Sequence, residues 1–482
     1  MLKTSFNTSL LCDFYEFTMG NGYFKTGKKD SLACFDLYFR KVPDEGGFVV
    51  AAGLASVINY MEQLHFSPED IDFLRSKKIF DEDFLKYLAE FEFECDVYAV
   101  EEGTPVFPNE PVVVVKGPAI QAQLLETMLL LTINHQSLIA TKANRIIRAA
   151  AGRPVFEFGT RRAQGNDAAV LGARAAYIGG CSGTACAVCE QLYGIPAVGT
   201  MAHSWIQMFD DEYEAFKEYA RFYPDNCTLL VDTFNVLKSG IPNAIRTHEE
   251  VLKPMGKRLK GIRIDSGDIT YLTKKVRKML IDAGLADCKI FVSNSLDEYI
   301  IRDILLQGAE VDFFGVGERL ITSRSEPILG GVYKLVAAEK DGVMIPKIKL
   351  SENVEKITTP GFKTIYRLFS NSSGKMVADL VALKNEKFDF NNPITLFHPD
   401  FTWKRKTFED YTVKELLVPI YKKGKLVYNI PGIEKTKKYC ENEISKIWDE
   451  ILRIENPQNY YVDLSQELWD IKQKLLQDGN RI

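Results

Sequence analysis

Between about residue 120 and residue 338 short apolar runs alternate with stretches of helical periodicity, the pattern of parallel strands joined by right-handed crossovers. The runs are PVFEFG from Pro154, IPAVGTM from Ile195, TLLVDT from Thr228, GIRIDS from Gly261, KIFVSNS from Lys289, DFFGVG from Asp312 and GVYKLVA from Gly331. Most intervals have room for a turn and a crossover helix. A barrel and a doubly wound sheet both fit. The barrel is favoured because so many runs end in polar clusters: FGTRR, GTMAHS, VDTFN, RIDSGD, VSNSLDE and GVGER. Barrel enzymes gather their reactive residues at the carboxyl ends of several strands.

The flanking segments read differently. Ahead of residue 120, SLACFDLYFR and CDVYAVEEGTPVFPNEPVVVVKG are strand-like and punctuated by Gly and Pro, as in an antiparallel unit. After residue 338, MIPKIKLS and TIYRLFSNSSGKMVADLVAL give further strands, the second with a hairpin centre. The expected organisation is an N-terminal α+β domain over 1–120, a barrel over 121–338, and a C-terminal segment over 339–482 that partly rejoins the first domain. Residues 121–151 read as a mostly buried helix leading into the barrel. From about residue 432 the chain is charged and helical, with Trp448, Ile451 and Leu452 as an apolar stripe. Ser67 and Pro68 start a helix as N-cap and first helical residue. Ser295 and Glu298 have the spacing of a capping box.

Composition narrows the class. Hydrophobic residues make up 46% of the 482 and charged residues 26%, as in folded globular proteins. A net charge of -5 opposes a sequence-independent grip on nucleic acid. With no charged leader followed by an apolar core, and no long uncharged apolar stretch, a cytoplasmic protein is expected. Nine cysteines read as free thiols in a reducing compartment. Cys181, Cys186 and Cys189 have a C-x4-C-x2-C spacing that iron-sulfur proteins share, but the Ala- and Gly-rich run CSGTACAVC fits a tightly packed helix with Cys as a small apolar residue. The segment GYFKTGKK resembles a P-loop, yet Lys29 stands where a Ser or Thr is required and no apolar strand precedes it.

The chemistry concentrates at the strand ends. Arg161 and Arg162 follow PVFEFG, where a guanidinium can clamp a carboxylate or phosphate through paired hydrogen bonds. Arg263 and Asp265 occupy alternate strand positions and so point to one side. Together they suit a polyol and its phosphates, with Asp265 placed to stabilise positive charge at an anomeric carbon and Asp268 to cap the next helix. Ser293, Asn294, Gly315 and Gly317 are small residues whose backbone amides can approach a phosphate. His203, one of five histidines, lies between Thr200 and Ser204 and reads either as a nucleophile or as a hydrogen-bonded core histidine.

Taken together, LLCDFYEFTMGNGYF, FEFGTRRAQG, VGTMAHSW, LLVDTFNVLKSGIPNAI, GIRIDSGDI, VSNSLDEYII and LGGVYKLVA, collinear from residue 10 to residue 338, closely resemble nicotinate phosphoribosyltransferases. The resemblance implies an irregular TIM-like α/β barrel with a second α+β domain. It implies ATP-coupled condensation of nicotinate with 5-phosphoribosyl 1-pyrophosphate, giving nicotinate mononucleotide and pyrophosphate in the salvage route to NAD. On the family pattern His203 is transiently phosphorylated, Tyr15 and Thr200 contact nicotinate, and Arg161 or Arg162 meets its carboxylate. Arg263 and Asp265 face the phosphoribosyl group, Ser293, Asn294, Gly315 and Gly317 form the phosphate site, and a magnesium ion accompanies the pyrophosphate. A homodimer is implied, in which Tyr15 can serve the neighbouring chain. Glu318 departs from the pattern, since some members carry a small hydroxyl residue there. A nicotinamide-specific relative would share this logic, and an iron-sulfur redox protein is the alternative from another class.

Overall fold

A computed structural model describes residues 7–479. The chain divides into two compact units, Met1–Leu138 with Ile328–Ile482, and Ile139–Pro327.

The first unit is built on a seven-stranded antiparallel sheet. Its order is Val343–Pro346, Gly331–Lys340, Leu32–Phe39, Val113–Pro118, Asp96–Ala99, Val418–Lys422 and Lys425–Leu426. Leu32–Phe39 is buried from Ala33 onward, which its near-continuous apolar sequence permits; Phe35 stacks on Tyr333 with ring centroids 4.8 Å apart. The run GVYKLVA was expected as a barrel strand. It lies instead in this sheet, antiparallel to Leu32–Phe39, because an apolar run of that length does not declare whether its partners are parallel or antiparallel.

A second sheet contains the hairpin Lys363–Ser370 and Met376–Leu383, flanked by Tyr411–Glu415 and by the parallel strand Val462–Leu464. Ser67 caps the helix Pro68–Ser76 in a capping box completed by Asp70. Near the C-terminus the helices are Ile433–Ser445 and Gln466–Gly479. The expected stripe at Trp448, Ile451 and Leu452 falls in the irregular link between them, where Trp448 Nε1 donates to the Met376 carbonyl at 2.6 Å.

The second unit carries a six-stranded parallel sheet in the order Gly183–Thr184, Val155–Glu157, Phe313–Val316, Lys289–Ser293, Gly261–Ile264 and Thr228–Leu230. Helices such as Asn166–Ile178, Ile269–Asp282 and Glu298–Leu306 follow the strands, as parallel pairing requires. The last strand in sequence, Phe313–Val316, pairs with the first, Val155–Glu157. The sheet does not close: among the described residues Gly183–Thr184 and Thr228–Leu230 remain its edges, so the structure shows an open parallel sheet and not the expected irregular TIM-like barrel. The run IPAVGTM adds one bridge, Ala197 to Thr184, and no strand; Pro196 has no N–H to offer a ladder.

Two local expectations also change. The run CSGTACAVC is not one helix: it contains the short strand Gly183–Thr184, and a helix starts only at Ala187. Ser295 and Glu298 do not form a capping box. Asp297 is the N-cap of Glu298–Leu306 and accepts from Tyr299 N and Ile300 N, which frees Glu298 to sit fully buried against Lys142 (2.8 Å) and Arg145 (2.9 Å).

Candidate active site

The carboxyl ends of the parallel strands bring one group of polar side chains together. Arg263 and Asp265 leave Gly261–Ile264, and Ser293 ends Lys289–Ser293. Arg263 is the hub. Its Nε donates to Ser293 Oγ at 2.8 Å, Nη1 to Thr200 Oγ1 at 3.3 Å and to the Met201 carbonyl at 3.4 Å, and Nη2 to Asp265 Oδ1 at 3.2 Å. Ser293 Oγ also donates to Asp265 Oδ1, and the guanidinium lies 5.8 Å from the centre of the Phe158 ring. A planar fork with five donors can hold this many partners at once. One cation thus sets the mutual positions of Thr200, Asp265 and Ser293.

His203 opens the short helix His203–Gln207. Its Nδ1 is 3.0 Å from Thr233 Oγ1, and Nε2 faces Asp265 Oδ2 at 3.9 Å. The imidazole is held from one side by a hydroxyl and faces a carboxylate on the other, and its side chain is 40% exposed. This is an accessible ring in a polar setting, unlike a core histidine.

Two residues of this cluster went unassigned in the sequence. Asp232 Oδ2 accepts from the Asp265 amide at 3.0 Å and from Ser266 Oγ at 2.5 Å, while its Oδ1 is buried with no partner among the described residues. Thr233 orients His203. Both belong to VDTFN, whose polar residues after an apolar strand were the available signal.

The remaining candidates are placed as follows. Asn294 and Ser295 take left-handed backbone conformations, with φ of 94° and 40°, uncommon for residues with a Cβ and typical of functional turns. Gly315 and Gly317 are explained by packing: a Cβ at 315 would lie 2.9 Å from the Phe158 ring, and one at 317 would lie 3.0 Å from the Phe158 carbonyl. Arg161 and Arg162 sit on the exposed turn Thr160–Arg162. Arg162 Nε lies 3.8 Å from Glu318 Oε2, whose other oxygen is 3.4 Å from Arg324, so Glu318 pairs with arginines. Asp268 accepts from Tyr271 N at 2.7 Å as the cap of Ile269–Asp282. Tyr15 belongs to the other unit, on the exposed side of Phe14–Lys25. Burial and the neighbouring Glu126 push its phenol well above the usual range.

Three family models match the chain in sequence. The nicotinate phosphoribosyltransferase N-terminal domain covers residues 10–134, the nicotinate phosphoribosyltransferase family 154–390, and the C-terminal domain 362–472. Nicotinate phosphoribosyltransferase of Bacillus subtilis is 43% identical over 472 residues, spanning 98% of this chain and 95% of that protein. The chain belongs to the nicotinate phosphoribosyltransferase family. The human nicotinate phosphoribosyltransferase is 31% identical, over 95% of each chain. A crystal structure of human nicotinic acid phosphoribosyltransferase superposes with a TM-score of 0.84 at 28% identity, covering 97% of this chain and all of that one. A Pyrococcus furiosus structure titled nicotinate-nucleotide pyrophosphorylase superposes with a TM-score of 0.69 at 25% identity, over 91% and 96%. Within the nicotinate phosphoribosyltransferase family frame, the Arg263 hub is the polar centre of the parallel sheet.

Proposed function

We propose that the chain condenses nicotinate with 5-phosphoribosyl 1-pyrophosphate to nicotinate mononucleotide and pyrophosphate, a salvage step toward NAD, coupled to ATP hydrolysis through a phosphorylated His203. The carrying observation is the convergence of Arg263, Asp265, Ser293, Thr200 and His203 at the carboxyl ends of the parallel strands.

In this reading the pyridine nitrogen forms a bond to the anomeric carbon as the bond to pyrophosphate oxygen breaks, and pyrophosphate leaves with the electron pair. Positive charge grows on the ribosyl ring. The carboxylate of Asp265, fixed by Arg263 and Ser293, stabilises that charge without having to reorganise. Thr200 positions the base, and Arg161 or Arg162 meets its carboxylate. Ser293, the left-handed Asn294 and the tightly packed Gly315 and Gly317 bound the phosphate region. A magnesium ion fits this donor set, because it is typically held by one or two carboxylates together with substrate phosphates; Asp232 Oδ1 and Asp265 Oδ2, the oxygen on the His203 side, would hold it, and it would neutralise leaving-group charge.

His203 has an accessible ring and a hydroxyl on Nδ1, which supports phosphoryl transfer from ATP more than a packing role. A barrel-like arrangement of the second unit is supported by the pairing of its last strand with its first. A homodimer is supported by the exposed Phe14, Tyr15 and Met19 on one helix. A cytoplasmic location agrees with nine free cysteines and with the finding that no helix of the described residues is long and apolar enough to cross a membrane.

Nicotinamide is the competing base, and the cationic Arg161 and Arg162 favour a carboxylate instead. Initial rates with each base at matched concentration test this. Faster turnover of nicotinate is expected; comparable or greater turnover of nicotinamide would overturn the substrate assignment.

A further inference from the structure

Glu157 ends the strand Val155–Glu157 and is completely buried. It takes no part in the Arg263 cluster, yet both of its oxygens are engaged. Oε1 accepts from the Gly159 amide and Oε2 accepts from Thr184 Oγ1 at 2.6 Å. Burial raises its carboxyl above the usual range while these two donors pull it down. A buried carboxylate facing two donors is a directional tie, because each bond to a charged acceptor is stronger than a neutral one.

The two ends of that tie are the two segments that carry the base-recognition residues. Gly159 begins the turn that carries Arg161 and Arg162, and it has no room for a side chain, since a Cβ there would lie 2.6 Å from Ile321. Thr184 is also fully buried. Its hydroxyl accepts from the Cys186 amide at 3.0 Å, its amide donates to the Pro196 carbonyl at 3.0 Å, and its carbonyl accepts from the Val198 amide at 2.8 Å. Thr200 follows two residues later. The segment 195–201 has no strand ladder of its own, only the bridge from Ala197 to Thr184; Thr184 ties its first half to the sheet, while Arg263 and Tyr219 hold its far end at Thr200 and Met201.

We infer that Glu157 is a positioning residue that, through Thr184, sets the spacing between the arginines at 161 and 162 and the hydroxyl of Thr200, and thereby the fit of nicotinate. This rests on the reading that those side chains contact the base. The residues assigned to the phosphoribosyl group, Arg263, Asp265 and Ser293, stand on other strands and are not hydrogen-bonded to Glu157 or Thr184. Arg263 meets this segment only at its far end, through Thr200 and the Met201 carbonyl, so loosening the tie acts first on nicotinate and only through that end on the phosphoribosyl donor.

The test is the pair of KM values, for nicotinate and for 5-phosphoribosyl 1-pyrophosphate, in Thr184→Val, Thr184→Ser and Glu157→Gln. Thr184→Val keeps the shape and removes the hydroxyl; the KM for nicotinate should rise about tenfold, the equivalent of one hydrogen bond to a charged group. The KM for the phosphoribosyl donor should stay within about twofold. Thr184→Ser, which restores the hydroxyl, should recover the nicotinate value, and Glu157→Gln should show the same one-sided rise. An unchanged nicotinate KM in Thr184→Val and Glu157→Gln, or equal rises for both substrates, would overturn the inference. Arg161→Ala, Arg162→Ala and Thr200→Val are measured alongside. If they raise the nicotinate KM and Thr184→Val does not, the tie is refuted and the base site stands. If none of them raises it and Thr184→Val does, the assignment of the base site is wrong, and the inference, which works through those side chains, is overturned with it.

Discussion

His203, which opens the helix His203–Gln207, and Asp265, which follows the strand Gly261–Ile264, face each other, Nε2 of the ring 3.9 Å from Oδ2 of the carboxylate, while Thr233 engages Nδ1 at 3.0 Å. The ring that would carry a phosphoryl group and the carboxylate that would steady the ribosyl cation are thus neighbours. Incubation with γ-labelled ATP should give an acid-labile phosphoprotein that is absent in His203→Ala. That variant should also lose the stimulation of turnover by ATP. Label persisting in His203→Ala would show that the acceptor is another residue.

Asp265→Asn keeps the shape of the side chain and removes the charge. A fall in kcat of about a hundredfold is expected, the usual size of losing one preorganised electrostatic partner of a transition state. Steady-state rates at saturating substrates measure it, and a change below about threefold would remove Asp265 from the reaction.

Arg263→Lys preserves charge but offers a point donor in place of a fork. Lysine cannot hold Ser293, Thr200, Met201 and Asp265 together, so both KM and kcat should worsen, by at least about tenfold in kcat/KM. Arginine and lysine performing alike would mean that charge alone matters at this position.

How much of this was legible in the sequence depends on how each contact is made. Arg263 and Asp265 could be paired because alternation along a strand is a local rule. Asp268 could be read as a cap for the same reason, since its partner Tyr271 is three residues away. Glu157 looked like part of an apolar strand, and its partner Thr184 lies 27 residues downstream, beyond any periodicity. Pro196 removed a strand that hydrophobicity alone suggested. The run from Gly331 was placed in the wrong sheet because its partner, Leu32–Phe39, lies far back in the sequence. Glu298 matched a capping box by spacing, yet a better cap stood beside it in Asp297, and two cations from the helix Glu126–Ala149 claimed the carboxylate.

That last arrangement has a stability consequence. Glu298 is buried with Lys142 and Arg145, and removing it takes from both buried cations the carboxylate they share. Glu298→Ala should destabilise the protein by about 3–5 kcal/mol, read from the urea unfolding midpoint. A loss under about 1 kcal/mol would show that the group is solvated, as surface pairs are.

Glu16 makes stability depend on pH. It is buried, and burial lifts its carboxyl to about 7, against the opposing hydrogen bond from Thr127 at 2.6 Å. A raised carboxyl favours the protonated form in the fold, so its cost is full above about 7, where the folded group must ionise, and vanishes below the unfolded value of about 4.5. Glu16→Gln keeps an acceptor for Thr127 and removes the ionisation. Its Tm should exceed that of the parent at pH 8, by an amount corresponding to roughly 1–2 kcal/mol after solvent screening, and the difference should shrink toward pH 5. A difference that is constant or grows on acidification would contradict this.

The most direct measurement is formation of nicotinate mononucleotide from nicotinate and 5-phosphoribosyl 1-pyrophosphate by the purified protein, with and without ATP. The expected result is stoichiometric nicotinate mononucleotide and pyrophosphate, with faster turnover when ATP is present and is converted to ADP. No nicotinate mononucleotide under either condition, from protein shown to be folded, would contradict the proposed function.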